Sequence, residues 1–173
     1  MMQTFVALLR GINVGGNNAL PMDDLKSICA GLGWTDVRTY IASGNVVFQA
    51  DGGAEALAAS LHGALPFDVP VAVLPASEMK ARLSHCPIVP NEGKLLHAFF
   101  CMDAPDVDQD VIALYRTDEE VVVKGHTVWL HTPSGFSTSK LAERFDRVIT
   151  GTTYTARNVN TVKKLVEMCE EGA

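Results

Sequence analysis

The chain has 173 residues, 47% of them hydrophobic, and a formal net charge of −6 at neutral pH. That is enough for one domain, or two small halves, with a real core. The acidic balance argues against unspecific coating of nucleic acid or anionic lipid, and no stretch reaches the roughly 18 apolar residues of a membrane-spanning helix.

Thr4 to Leu9 reads as a strand with apolar residues at both parities, so both of its faces need cover. The opening lacks a basic stretch, and its apolar run Phe5 to Leu9 is far shorter than the roughly 7–15 residues of a signal-peptide core. A cytoplasmic protein is therefore expected. A Gly- and Asn-rich loop runs from Arg10 to Leu20 and ends at Pro21. "MDDLKSICAGLGW" reads as a helix, with early acids suiting its N-terminus and Gly31 or Gly33 closing it. "DVRTYIASGNVVFQA" predicts two strands around a tight turn, with Ser-Gly-Asn supplying the positive backbone angles. "AEALAASLHGAL" is a second helix, and "VPVAVLP" a fourth strand confined by its prolines.

Strand, helix, strand, strand, helix, strand is the split βαβ, or ferredoxin-like, order. It places the first and third strands side by side in the middle, with both helices on one face. Alternation then puts Arg38 and Tyr40 on the face away from the helices.

A short helix near Ser77 to Leu83 and the linker "HCPIVPNEGK" follow. Leu95 to Met102 reads as a strand, Asp106 to Tyr115 as a helix, and "EEVVVKGHTVWLH" as a hairpin turning near Lys124 to His126. "SKLAERFDRVI" reads as one helix capped by Ser137 or Ser139, "TTYTA" as a short strand, and "NVNTVKKLVEMCEE" as the last helix. The expected fold class is α+β. Residues 1–75 form a ferredoxin-like half, 76–94 a helix and linker, and 95–173 a second, topologically similar half packed against the first.

Cys29, Cys86, Cys101 and Cys169 form no C-x-x-C pair and are spread over the chain, so they read as buried free thiols. His97 and Cys101 share a strand face, but four strand residues span about 13 Å, too far for one metal. No metal or organic cofactor is expected. "DAPDVDQDV" lacks the glycine and closing glutamate of a calcium loop, and Asp106 or Asp108 reads as a helix opener.

Three segments carry candidate binding chemistry. A strand running into glycines and then a helix can bare backbone N–H groups for an anion, and Arg10 adds a fork of donors. The same loop also reads as a connection needing Gly for geometry and Asn for local bonding. Arg38 and Tyr40 on the hairpin read either as ligand contacts or as an edge strand with a stacked cation. "SGFSTSKLAERF" and "TARNVNTVKKL" each set hydroxyls or amides before a helix, with a Lys in its early turns. That pattern suits an anion, and equally suits capping beside a solvated basic face. Residues 138–164 do carry six Lys/Arg against two Asp/Glu, whereas residues 51–137 carry five against twelve.

"ALLRGINVGG", "VRTYIASGNVVF", "SKLAERF" and "TARNVNTVKKL" together resemble the family known as domain of unknown function 1697, nearly end to end. The resemblance implies a compact α+β fold with a ferredoxin-like half in bacterial proteins, and no assigned reaction, substrate or cofactor. Its signatures fall on Arg10, Gly11, Asn13 and Gly15; on Arg38, Tyr40, Ser43, Gly44 and Asn45; and on Lys140, Arg157, Asn158 and Thr161. Val159 departs from it, since the resemblance implies an aromatic there.

The leading expectation is a protein binding a small anionic, nucleotide-type ligand. Its site would be formed by the N-terminal loop, the first hairpin and the C-terminal basic motif. Arg10, Arg38 and Arg157 would supply charge and Asn13, Ser43, Asn45 and Asn158 orienting hydrogen bonds, with Tyr40 and Lys140 as further ligand contacts. An enzyme acting on a phosphorylated or nucleotide substrate is the alternative, although no carboxylate lies within these motifs to act as base. A nucleic-acid adaptor using residues 138–164 is the second alternative, disfavoured by overall acidity and by the lack of a stacking platform.

Overall fold

β1 (Gln3–Leu9) is the strand the opening apolar run predicts, and it is central because both of its faces are apolar. The computed structural model describes residues 2–171 of the chain, which divide into two units: residues 2–81 with 163–171, and residues 82–162. The fold is α+β.

In the first unit, β1 is followed by α1 (Met22–Gly31), β2 (Thr35–Tyr40), β3 (Asn45–Ala50), α2 (Ala54–Ala64) and β4 (Val71–Pro75), and α3 (Ala76–Ser84) starts in this unit and ends in the second. The antiparallel sheet has the order β2-β3-β1-β4. α1 buries Leu25 and Cys29 and α2 buries Leu57 and Leu61, each pair four apart and thus on one helical face. These residues share a core with Phe5, Ala7, Leu9, Val46 and Phe48, so both helices cover the same sheet face. Trp34 closes that core by stacking on Phe48 at 3.8 Å between ring centroids. Val6, Leu8 and Val47 on the opposite face are buried as well.

The turn after β2 departs from the expected chemistry. Positive φ falls on Ile41 (49°) and Gly44 (93°), not on an asparagine. For a β-branched residue this is an unusual conformation, and half-exposed Ile41 adopts it at the tip of the turn. β2 also carries a bulge between Thr35 and Arg38, where Asp36 takes φ 47°.

The second unit contains a 3-10 turn (Gly93–Leu95), β5 (Leu96–Cys101), β6 (Asp106–Val107), α4 (Gln109–Tyr115), β7 (Glu120–Lys124) and β8 (Thr127–His131). α5 (Lys140–Glu143), α6 (Phe145–Val148), β9 (Ile149–Thr150) and β10 (Tyr154–Asn158) complete it, and α7 (Val159–Glu171) starts in this unit and ends in the first. Its antiparallel sheet runs β10-β5-β8-β7. Counting only its own four strands, each sheet has the order second, third, first, fourth. α4, α5 and α6 pack through Ile112, Leu141, Phe145 and Val148 on the face carrying Phe99, Cys101, Val128 and Leu130.

Two expected helices are shorter than their patterns. Asp106 and Val107 pair with β9, and the helix begins only where the Asp108 carboxylate accepts from the N–H groups of Asp110 and Val111. "SKLAERFDRVI" breaks into α5 and α6 at Arg144, whose backbone (φ −106°, ψ 18°) leaves the helical region. The Arg144 guanidinium lies 4.6 Å from the centre of the Tyr115 ring. Among the described residues, no helix is long and apolar enough to cross a membrane.

Candidate functional site

The first two signature motifs meet in one corner of the first unit. Leu9 N–H donates to the Gly44 carbonyl at 2.9 Å, and Ile12 seats directly over Gly44. Asn13, held at φ 55°, clasps the loop. Its Oδ1 accepts from Leu20 N–H at 2.7 Å, and its Nδ2 donates to the carbonyls of Leu20 (2.9 Å) and Ala42 (2.8 Å). Asn18 Nδ2 adds a bond to the Gly11 carbonyl. Asn45 is fully buried, and its Nδ2 donates to the Tyr40 carbonyl (2.8 Å) and to Ser43 Oγ (3.0 Å). The amides of Asn13 and Asn45 therefore hold the loop and the turn in shape.

Asn13→Ala is expected to lower stability by roughly 2 kcal/mol, since three hydrogen bonds to backbone are lost at once. For a chain of this size that corresponds to a fall in Tm of about 4–8 °C. Asn13→Asp keeps the acceptor toward Leu20 and loses both donors, so it should fall between. A melt of Asn13→Ala within a degree of the parent would show that the clasp carries no weight.

Arg10 follows β1 half-buried, with its backbone N–H on the Pro70 carbonyl at 3.1 Å. Arg38 lies opposite Val47 in register, and Val47 lies opposite Val6, so Arg38 shares the sheet face away from α1 and α2. Tyr40 is on the same face, opposite Asn45. Arg38 Nη1 donates to the Met168 carbonyl at 2.8 Å, near the C-terminal end of α7, where a cation is favoured. Its Nη2 is 3.4 Å from Asp36 Oδ2, outside hydrogen-bond geometry. Arg38 Nε and Nη2 are buried with no hydrogen-bond partner.

In the second unit, Arg157 and Asn158 project to opposite faces of β10. Arg157 is 8% exposed, its Nη1 donates to the Ala156 carbonyl at 2.8 Å, and burial lowers its guanidinium pKa to about 10. Asn158 Oδ1 accepts from Thr161 N–H at 3.0 Å and so caps α7. Val159, where the resemblance implied an aromatic, is buried in the first turn of that helix. Lys140 opens α5, exposed, beside Ser139, whose Oγ accepts from Ala142 N–H.

One cluster here lies outside the signature motifs but for Lys140. Lys140 lines a cavity of about 240 Å³ with Asp118, Glu119, Ser134 and Ser139. Ser134 Oγ donates to Asp118, and Ser139 Oγ donates to Glu119 Oε2 at 2.6 Å. Only the run of hydroxyls in "SGFSTS" hinted that acceptors would gather there.

Three cysteines are buried thiols: burial pushes Cys29 up to about 12, and Cys101 and Cys169 up to about 11. Cys86 is half-buried, short of the expected full burial. Among the described residues, no group of three or more His, Cys, Asp or Glu is placed to hold a metal ion.

The sequence profile of a family described as "Protein of unknown function (DUF1697)" matches residues 2–129. A solved structure of a conserved bacterial protein from Streptococcus pneumoniae is similar, with 26% identity, a TM-score of 0.75, and coverage of 98% of this chain and 99% of that one. No curated protein matches the chain significantly.

Proposed function

The chain belongs to the DUF1697 family of proteins of unknown function, and on that premise we propose that it binds a small anionic ligand through the arginines of its motifs. The observation that carries this reading is the Arg38 edge. Nε and Nη2 point the same way from the guanidinium and are the pair that grips a carboxylate or phosphate in parallel. Both lack a hydrogen-bond partner, while Nη1 is anchored on Met168. Asp36 Oδ2 stands 3.4 Å from Nη2 as an ion-pair partner, but it makes no hydrogen bond to this edge, and an anion oxygen would supply one. Arg10, on the neighbouring loop, adds positive charge, while Asn13, Ser43 and Asn45 keep the loop and turn in shape. Lys140, Arg157 and Asn158 belong to the second unit, and the reading there is of anion contacts separate from the Arg38 edge. The ferredoxin-like description of the first unit is supported by its strand order and by the shared helix face.

A melting series with inorganic phosphate, pyrophosphate and acetate, each against sodium chloride of equal ionic strength, tests the reading. At least one anion well above its Kd should raise Tm by several degrees. The rise should vanish in Arg38→Gln and be reduced in Arg38→Lys, which keeps the charge and loses the fork. An undiminished rise in Arg38→Gln, or no rise with any of the three, sinks the proposal.

A further inference from the structure

A cavity of about 520 Å³ opens in the second unit between the 3-10 turn, the start of β5 and the loop of residues 133–137. Its size falls within the roughly 300–1,000 Å³ of small-molecule sites. One wall is aromatic. The His97 imidazole lies against the Phe136 ring, 3.8 Å between centroids and 23° from parallel, yet Phe136 remains 36% exposed. A phenyl ring backed by a second ring and still open to solvent is a stacking platform. Burial lowers the His97 pKa to about 4, so the imidazole is uncharged at neutral pH and serves as an aromatic support.

The wall is held in place before any ligand arrives. Thr132 N–H and Oγ1 both donate to the Leu95 carbonyl, Gly135 N–H donates to the Thr132 carbonyl, and Ser139 N–H donates to the Phe136 carbonyl. Gly135 sits at φ 118°, where a side chain would press to 2.9 Å from Thr138 Oγ1. The loop therefore needs no ordering on binding.

The polar lining is small and mixed. Lys94 and Glu92 both line the cavity, the Lys94 ammonium 3.5 Å from Glu92 Oε2, and both side chains are largely exposed. Ser137 brings an exposed hydroxyl, whereas the Ser134 hydroxyl is committed to Asp118. One cation tempered by one carboxylate suits a group of low charge and disfavours a polyphosphate.

We propose that this cavity binds a planar heteroaromatic ring bearing a single anionic group, the ring laid on Phe136 and the anion held by Lys94 and Ser137. This goes beyond the arginine site and stands without it. Adenosine monophosphate is a suitable probe, compared with adenosine, adenosine triphosphate and inorganic phosphate on the full chain. Calorimetry should rank the monophosphate above both adenosine and the triphosphate. Amide shifts in a nitrogen-15 spectrum should concentrate at residues 92–97 and 133–137. Phe136→Ala should weaken binding about tenfold or more, the usual scale of base stacking, and Phe136→Trp should retain it. Lys94→Gln should bring the monophosphate down to the affinity of adenosine. In Arg38→Gln the monophosphate-induced shifts at residues 92–97 and 133–137 should persist while any anion response at Arg38 is lost, which separates the two sites. The inference is overturned by absent binding at millimolar monophosphate, by shifts centred elsewhere, or by an affinity indifferent to Phe136→Ala.

Discussion

Gly44→Ala is expected to destabilise the first unit by about 3 kcal/mol, through overpacking and an unfavourable backbone angle acting together. Gly44 sits at φ 93°, and a Cβ built there lies 2.9 Å from Leu9 Cβ and 2.8 Å from Ile12 Cδ1. Ile12 can rotate the end of its side chain, but Leu9 Cβ is fixed to the central strand. Moving Gly44 outward would stretch the bond from Leu9 N–H to its carbonyl, 2.9 Å long. Gly15→Ala is the matched control. Gly15 also has positive φ (58°), but its added Cβ would meet nothing within 4 Å. Its expected cost is only the left-handed term, about 1–2 kcal/mol. Urea unfolding of the two variants separates the contributions. Equal losses would refute the close approach as the reason for glycine at position 44.

Glu119→Ala should cost a comparable amount at neutral pH, about 2–4 kcal/mol, because it strips a buried cluster of its acceptor. Glu119 is 3% exposed. Its Oε1 accepts from Thr117 N–H (2.7 Å) and Thr117 Oγ1 (3.0 Å), and its Oε2 accepts from Ser139 Oγ (2.6 Å). Burial by itself raises the carboxyl pKa. The hydrogen bonds from Ser139 and Thr117 outweigh it, and the pKa settles at about 2 against an ordinary 4.5. A depressed folded-state value means that the unfolded chain binds the proton more readily. The stabilisation is therefore fully present above pH 4.5 and drains away as pH falls toward 2. The difference in unfolding free energy between parent and Glu119→Gln should shrink over that window by up to about 3 kcal/mol. Other carboxylates cancel in the difference, so a flat difference from pH 6 to pH 2 would refute the bound carboxylate.

Glu119 also illustrates how unevenly the molecule can be read from its residues. Its partner Ser139 is recognisable as a helix cap from the residues around it, and it does cap α5. Thr117, two positions back, supplies bonds that any turn could show, and nothing near Glu119 announces the third, from Ser139 20 positions away. The same holds for the asparagines. "RGINVGG" and "YIASGN" read plainly as turn material, yet the tie from Asn13 to Ala42 spans 29 positions. Arg38 could be assigned to a sheet face by alternation alone, but its anchor on Met168 is 130 positions distant. The spacing of His97 from Cys101 marks it only as a poor metal ligand, whereas its stacking on Phe136 requires β5 and the loop after β8 to come together.

Periodicity, caps and turn residues act over a few residues, so the α+β class, the strand order of the first unit, the place of its two helices and the start of α5 were written in the chain itself. Helix lengths in the second unit, the left-handed Ile41, and the commitment of Asn13 and Asn45 to holding backbone came only with the assembled fold. Those features are set by which distant groups share a corner, and by whether a buried donor meets an acceptor there. Local propensity carries no record of either.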